Sequence, residues 1–309
     1  MTMTRRHLLL GAFVGAPLCV MLAISLVVGL FLTTGRLPFA NGATWFTVTK
    51  VGEAHFSDEP TEPFFFLAVG NDGRTGDTIT RGDAIHLIGV NPDAHAATML
   101  DIPRDTGAAI PGHRTDKINA AMAYGGIALQ AETVGNLVGV SIPYAITADF
   151  DGFMALVDGI GGVDMAVDQD MDDPEGSGAT FTAGTTYHMN GDQALAFNRD
   201  RHDLPRGDLD RSANQGAFIL AALGQLQRNN LGAAGTLSAI ATLGAHTTIE
   251  GMSLTDLYRF GRLALSIDPA NVKNVVIPVG SGSGTQLAVT GEGAGLFADF
   301  ADDAVMQTH

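Results

Sequence analysis

Three short runs follow one another closely near the start of the folded part of this chain: residues 64–70 (FFFLAVG), 84–90 (AIHLIGV) and 97–102 (ATMLDI). None alternates apolar with polar residues along its length. A short, nearly continuous apolar run bounded by turn residues is the pattern of a buried strand, one covered on both faces. Asn91-Pro92-Asp93 between the second and third runs is a turn signal, so these two are expected to form a hairpin. Strands of this kind need helices above and below them, and the rest of the chain supplies helical patterns. Residues 120–138 read as helical with an interruption at Gly125-Gly126, 144–148 as a strand and 150–157 as a short helix. Gly159 to Gly162 then break the chain before another strand at 163–167. Residues 180–191 have the character of a hairpin or turn region, and 191–197 of a short helix. Ala213, Ala217, Leu220, Leu223 and Leu226 recur at helical spacings across 209–228. Two more helices are expected at about 235–246 and 253–266, and a late strand at 274–279. The expectation is one α/β domain over residues 61–280, a three-layer α/β/α sandwich with a central mixed sheet, followed by a Gly-rich tail at 281–309.

The N-terminus adds a second element. Residues 8–32 are 25 positions without a charged side chain. At about 1.5 Å per residue that is roughly 37 Å of helix, enough to cross a bilayer. Arg5 and Arg6 precede it, which places residues 1–7 in the cytoplasm and everything after about 35 outside. The reading is a single-pass transmembrane anchor in the cell membrane, then an extracytoplasmic stalk at 33–60 that contains Pro38, several glycines and little periodicity. A cleavable signal peptide competes, but its apolar core is normally only about 7–15 residues. The single cysteine, Cys19, lies within this span, so a disulfide, a catalytic thiol and a Cys-ligated metal are excluded for the exported domain.

Charge is the other informative feature. The chain carries 33 acidic and 17 basic residues, a formal net charge of −16. Yet residues 198–211 (NRDRHDLPRGDLDR) hold Arg199, Arg201, Arg206 and Arg211 among Asp200, Asp203, Asp208 and Asp210. Guanidinium forks match phosphate oxygens in pairs. A local arginine cluster in an acidic chain points to a small anionic ligand, because the overall charge would repel a nucleic acid. Its position just before a long helix suits anion binding, with Asp208 or Asp210 in the helix's first turn. The competing reading is a self-compensating surface network. Three other residues stand at strand ends, where open α/β sheets bind ligands. Asp72 follows the first run, although Asn-Asp-Gly is also ordinary turn chemistry. Asp83 opens the second run; if the two strands are neighbours, the pair could hold magnesium beside a phosphate, and otherwise Asp83 is a solvated charge. Arg104 follows the third run next to Pro103, and either is aimed by that fixed backbone or pairs with Asp101 or Asp105.

Taken in order, FFFLAVGNDGR (64–74), RGDAIHLIGVNP (81–92), MLDIPRDT (99–106), DKINAAMAYGG (116–126), DFDGFMALVDGIGGVDMAV (149–167), HMNGDQALAFNRDRH (188–202) and RGDLDRSANQ (206–215) resemble the LytR-CpsA-Psr family of cell-envelope proteins. The resemblance covers residues 62–230 and implies an α/β/α sandwich with a pocket for a polyprenyl-phosphate lipid. It implies transfer of a glycan polymer from an undecaprenyl-(pyro)phosphate carrier to a peptidoglycan hydroxyl, with polymers of arabinogalactan, teichoic-acid or capsule type. By motif, Asp72 and Asp83 match the family's magnesium aspartates. Arg104, Arg199 and Arg201 match its pyrophosphate-binding arginines. Asp208, Arg211 and Gln215 match its D-x-x-R-x-x-x-Q, with Asp208 the candidate base for the acceptor hydroxyl. Arg206 is read as a further phosphate contact or a structural partner. Asp101 departs from the Ser or Thr often found in relatives. Two other readings stay open: a non-catalytic polyprenyl-phosphate-binding regulator, and a prenyl-pyrophosphate pyrophosphatase that uses water.

Overall fold

The computed structural model describes residues 44–53, 62–73, 80–229, 246–253 and 267–306, with the single positions 255, 256, 259 and 263. Its strands, in chain order, are β1 (Phe46–Lys50), β2 (Phe64–Asn71), β3 (Gly82–Asn91), β4 (Ala96–Asp101), β5 (Gly107–Ala109), β6 (Thr115–Lys117), β7 (Tyr144–Ala148), β8 (Val163–Val167), β9 (Met171–Asp173), β10 (Ala179–Phe181), β11 (Thr185–Met189), β12 (Thr247–Glu250), β13 (Val272–Val276), β14 (Val279–Ser281) and β15 (Leu287–Val289). The α-helices are α1 (Ala120–Val138), α2 (Phe150–Gly159), α3 (Gly191–Arg199), α4 (Asp208–Asn229) and α5 (Gly291–Asp303).

Seven strands form one mixed sheet in the order β12-β1-β7-β2-β3-β4-β13. β3 is antiparallel to both β2 and β4, whereas β7 runs parallel to β2 and β13 parallel to β4. The expected hairpin is β3–β4, and the apolar runs are covered on both faces. On one face Leu67, Ile85, Leu87 and Leu100 pack with Val134 and Val138 of α1 and with Phe297 and Phe300 of α5. Each fully buried side chain of this size contributes about 1.5–3 kcal/mol relative to exposure. On the other face Phe66, Ala68, Ala84, Ile88, Val90, Ala97 and Met99 turn toward a cavity beneath α4. α1 is interrupted as expected, with non-helical Gly125 and a positive φ of 68° at Gly126. A smaller lobe formed by β8–β11, α2 and α3 has its own core, in which Phe197 of α3 and Phe218 of α4 meet.

The structure corrects two boundaries and one strand pairing. The stalk expected at 33–60 contains β1, which lies inside the sheet between β12 and β7 with Val48 buried. FTVTK alternates apolar with Thr, so it lacks the continuous run that marks the other strands. The tail expected at 281–309 contains β15 and α5, and α5 closes one face of the core through Phe297 and Phe300. Thr290 caps α5 by accepting from the Gly293 amide, which offsets its glycine-rich composition. Residues 180–191 hold the expected turn, at Ala183-Gly184, but not a hairpin: β10 pairs with β9 and β11 with β8. The expected membrane anchor and the helix at 235–246 lie outside the described residues, or nearly so, and the helix at 253–266 lies largely outside them. Among the described residues no helix is long and apolar enough to cross a membrane.

Candidate active site

The antiparallel and parallel pairings bring the carboxyl ends of β2, β4 and β7 to the same edge as the start of β3. Asp72, Asp83, Arg104 and Asp149 therefore reach one end of the cavity, which has a volume of about 700 Å³. A bulge between Gly70 and Asn71 shifts the β2–β3 register before its last pair, Asn71–Gly82, and Asp72 closes the connection by accepting from the Arg81 amide at 2.8 Å. Asp72 thus does serve a turn, and it lines the cavity, as does Asp83.

Arg104 resolves the ambiguity left by its neighbours in sequence. It donates to Asp83 at 2.7 Å and lies 3.6 Å from Asp208, and pairs with neither Asp101 nor Asp105 at salt-bridge distance among the described residues. Burial lowers its proton affinity, but the hydrogen bond and charge of Asp83 and the charge of Asp208 outweigh this and hold it above its ordinary value. It stays a cation throughout.

The 198–211 segment supplies the opposite wall. α3 is fixed at its start by an Asn190/Gln193 capping box and carries Arg199 in its last turn, with the guanidinium 5.3 Å from the Phe150 ring centre. Asp200 leaves the helix in extended conformation and delivers Arg201 to the cavity. Gly207, at φ 55°, turns the chain into α4, a left-handed conformation that glycine adopts without strain. Arg211 then projects from the first turn, almost wholly buried, with Nη2 2.6 Å from Asp208 Oδ1. Burial pushes Arg211 below its ordinary value, Asp208 opposes this, and the nearby charge of Arg104 adds to the lowering. Gln215, one turn further on, donates to the Asn198 carbonyl and lines the cavity.

Asp208 stands at the centre of this cluster and not at its surface. Its Oδ1 is within 4 Å of Arg104, Arg201 and Arg211, and both carboxylate oxygens are buried without an aligned hydrogen bond. It is an ion-pair hub under the arginines. Arg206 is the residue the structure does not bring in. It chelates the buried Asp210 through its backbone amide at 2.7 Å and through Nε and Nη2 at 2.7 and 2.6 Å. It does not line the cavity, and its observed partner is Asp210.

Asp101, the departure within the third motif, forms a buried pair with His86 at 2.6 Å. Burial raises its proton affinity, and the hydrogen bond and charge of His86 oppose this. Beyond the polar end the cavity wall is apolar, formed by Phe46, Val48, Ile146, Phe153, Leu156, Phe218, Ile219, Leu223 and Leu226 among others. The whole is a hydrophobic pocket whose polar lining holds four arginines, Arg104, Arg199, Arg201 and Arg211, and four aspartates, Asp72, Asp83, Asp149 and Asp173. Asp72 and Asp83 are hard oxygen donors suited to magnesium. Among the described residues no group of three or more His, Cys, Asp or Glu makes a complete cage, so such an ion would take its remaining ligands from phosphate and water.

The site therefore joins an apolar pocket to guanidinium groups at the strand ends of a mixed sheet, chemistry that suits an amphipathic anion. The chain belongs to the LytR_cpsA_psr family, whose model matches residues 44–293. A polyisoprenyl-teichoic acid–peptidoglycan teichoic acid transferase TagU from Bacillus anthracis is 40% identical over 156 residues, 50% of this chain and 50% of that protein. The TagU of Halalkalibacterium halodurans is 33% identical over 241 residues, 77% of this chain and 73% of that protein. In the alignment to the B. anthracis protein the chain spans about half of its relative's length. A solved structure of the family protein YwtF (TagT) with bound octaprenyl pyrophosphate lipid superposes with a TM-score of 0.61 at 23% identity, covering 81% of this chain and 92% of that one. At that identity the likeness concerns the fold.

Proposed function

We propose that this chain is a membrane-anchored transferase that moves a glycan polymer from a polyprenyl-pyrophosphate carrier to a hydroxyl of peptidoglycan, outside the cytoplasm. The observation that carries this reading is the junction of an apolar cavity with Arg104, Arg199, Arg201 and Arg211 at one end. A prenyl chain fits the apolar part and a pyrophosphate the cationic part. The names of the TagU relatives and the lipid bound by the YwtF protein support the same assignment.

In this reading the arginines bind the pyrophosphate oxygens and stabilise the charge that develops when the bond between the two phosphoryl groups breaks. Arg104 is the most firmly placed, held between Asp83 and Asp208. Asp208 orders three guanidinium groups, and with both oxygens enclosed it serves as a positioning residue better than as the base for the acceptor. Asp72 and Asp83 would hold a magnesium ion, which when bound supplies further neutralisation of the pyrophosphate. The apolar walls exclude water from the lipid and fix the direction of the leaving prenyl phosphate.

The test is transfer from a synthetic prenyl-pyrophosphate-linked saccharide to a peptidoglycan fragment by the full-length protein in detergent or vesicles. The wild type is expected to form the glycosylated acceptor and free prenyl monophosphate. Arg104→Ala and Arg201→Ala are expected to lose at least 100-fold in rate, about the cost of removing one preorganised charge-stabilising group. Full activity in both variants would overturn the arginine assignment. Prenyl monophosphate released without any acceptor product would mark a hydrolase, and lipid binding without turnover a regulator.

A further inference from the structure

With Asp208 enclosed, the acceptor hydroxyl still needs a group to take its proton. Three histidines in the described structure pair with an aspartate through Nδ1: His86 with Asp101, His188 with Asp164 and His202 with Asp173. His86 is 2% exposed and sits in the apolar floor, three residues along β3 from Asp83, or about 10 Å at strand rise. No polymeric acceptor reaches it. His188 lies on the β8–β11 pair and is absent from the cavity wall. Only His202 combines access with position. It directly follows Arg201, lines the cavity beside Arg199 and Arg201, and its side chain is 63% exposed.

His202 is also oriented. Its Nδ1 is 3.0 Å from Asp173 Oδ2. Asp173 is itself fixed by its own loop, Oδ1 accepting from the Gly176 amide at 3.1 Å and Oδ2 from the Ser177 amide at 3.0 Å. The hydrogen bond from His202 and those two amides hold the Asp173 carboxyl below its ordinary value, against the opposing effect of burial. With Nδ1 donating to a carboxylate, Nε2 carries the lone pair, the arrangement that makes a neutral imidazole a base. Gly176, Ser177 and Asp173 line the cavity on the same side.

We propose that His202, oriented by Asp173, is the general base that activates the acceptor hydroxyl. This rests on the transferase reading above and names the catalytic group within it. The acceptor oxygen bonds to the phosphorus that carries the glycan. The bond from that phosphorus to the bridging oxygen breaks, its electron pair leaves with the prenyl phosphate held by the arginines, and the hydroxyl proton passes to His202 Nε2 and then to solvent. No oxidation state changes. His202 is the catalytic residue here and Asp173 a positioning residue.

The experiment uses the full chain with the synthetic donor and a saturating peptidoglycan fragment. His202→Gln is expected to lower kcat by 100-fold or more, the contribution typical of a positioned base, with the Kd for prenyl pyrophosphate unchanged. His202→Ala is expected to regain part of the rate with added imidazole, which a merely structural histidine would not show. Asp173→Asn should lose part of the same factor, and His188→Gln should lose nothing. Wild-type kcat in His202→Gln, or no rescue of His202→Ala by imidazole, overturns the base assignment while leaving the transferase reading intact. A wild-type protein that forms no acceptor product overturns both.

Discussion

Single residues in this site are decided by what lies within 4 Å of them. Arg206 and Arg211 look alike in the sequence, each among aspartates. One is tied to Asp210 away from the cavity, and the other is buried against Asp208 within it. Asp200 shows a different outcome. It is fully buried, accepts from Ser177 Oγ, and is pushed up to about 6, first by burial and then by sharing a hydrogen bond with Asp203. The folded state therefore binds a proton between about pH 6 and the ordinary value of 3.8, where the unfolded chain does not. Stability from this group rises as pH falls through 6 and levels off once the unfolded chain is protonated too. Asp200→Asn removes the charge but can keep donating to Asp203. Its melting temperature is expected to exceed the wild type's at pH 7.5, with the gap closing near pH 4. A gap independent of pH would refute the shared proton.

Among the elements, α4 contributes most to the site. Its first turn carries Asp208 and Arg211, its second Gln215, and its later turns Ile219, Leu223 and Leu226 along the cavity. Its distance from the sheet is set at Gly216, where an added methyl would overlap the amide of Asn274 and the carboxylate of Asp101. On propensity alone Gly→Ala in a helix interior stabilises by about 1 kcal/mol. Overlap with two buried polar groups reverses that sign, at a cost of about 1–3 kcal/mol. Gly216→Ala is expected to lower the urea midpoint and weaken prenyl-pyrophosphate binding together, and a stabilised variant would show that the contact relaxes freely. The helix itself was legible: the 3–4 spacing of Ala213 to Leu226 predicts 209–228, and the element spans Asp208–Asn229. What no spacing shows is that this apolar stripe faces a cavity along much of its length.

For the whole molecule the telling difference is its extent. Among the described residues the sheet begins at Phe46 and the last core helix ends at Asp303. Phe297 and Phe300 are 6% and 0% exposed in the same core as Leu67 and Leu87. Losing a buried phenylalanine costs about 3–5 kcal/mol, and a domain's total stability is about 5–15 kcal/mol. A chain truncated after residue 280 is therefore expected to show no cooperative thermal transition by circular dichroism, whereas one ending at 306 keeps it. Equal melting of the two would restore the boundary at 280. The signals were present but weak: an apolar–Thr alternation only five residues long in β1, and Phe297 and Phe300 three apart after a Thr cap in a glycine-rich stretch.

By itself the sequence determined the covered strands, their helices, and the strand-end positions of Asp72, Asp83 and Arg104, because periodicity and turn chemistry are local. It also determined that four arginines gather in an acidic chain. Which of those arginines line the cavity, that Asp208 is enclosed by Arg104, Arg201 and Arg211, and that His202 rests on a carboxylate 29 residues earlier were decided only by the tertiary structure. Ion pairing and burial depend on distances between segments remote in sequence, and a short run of Arg and Asp is compatible with many pairings until the fold selects one.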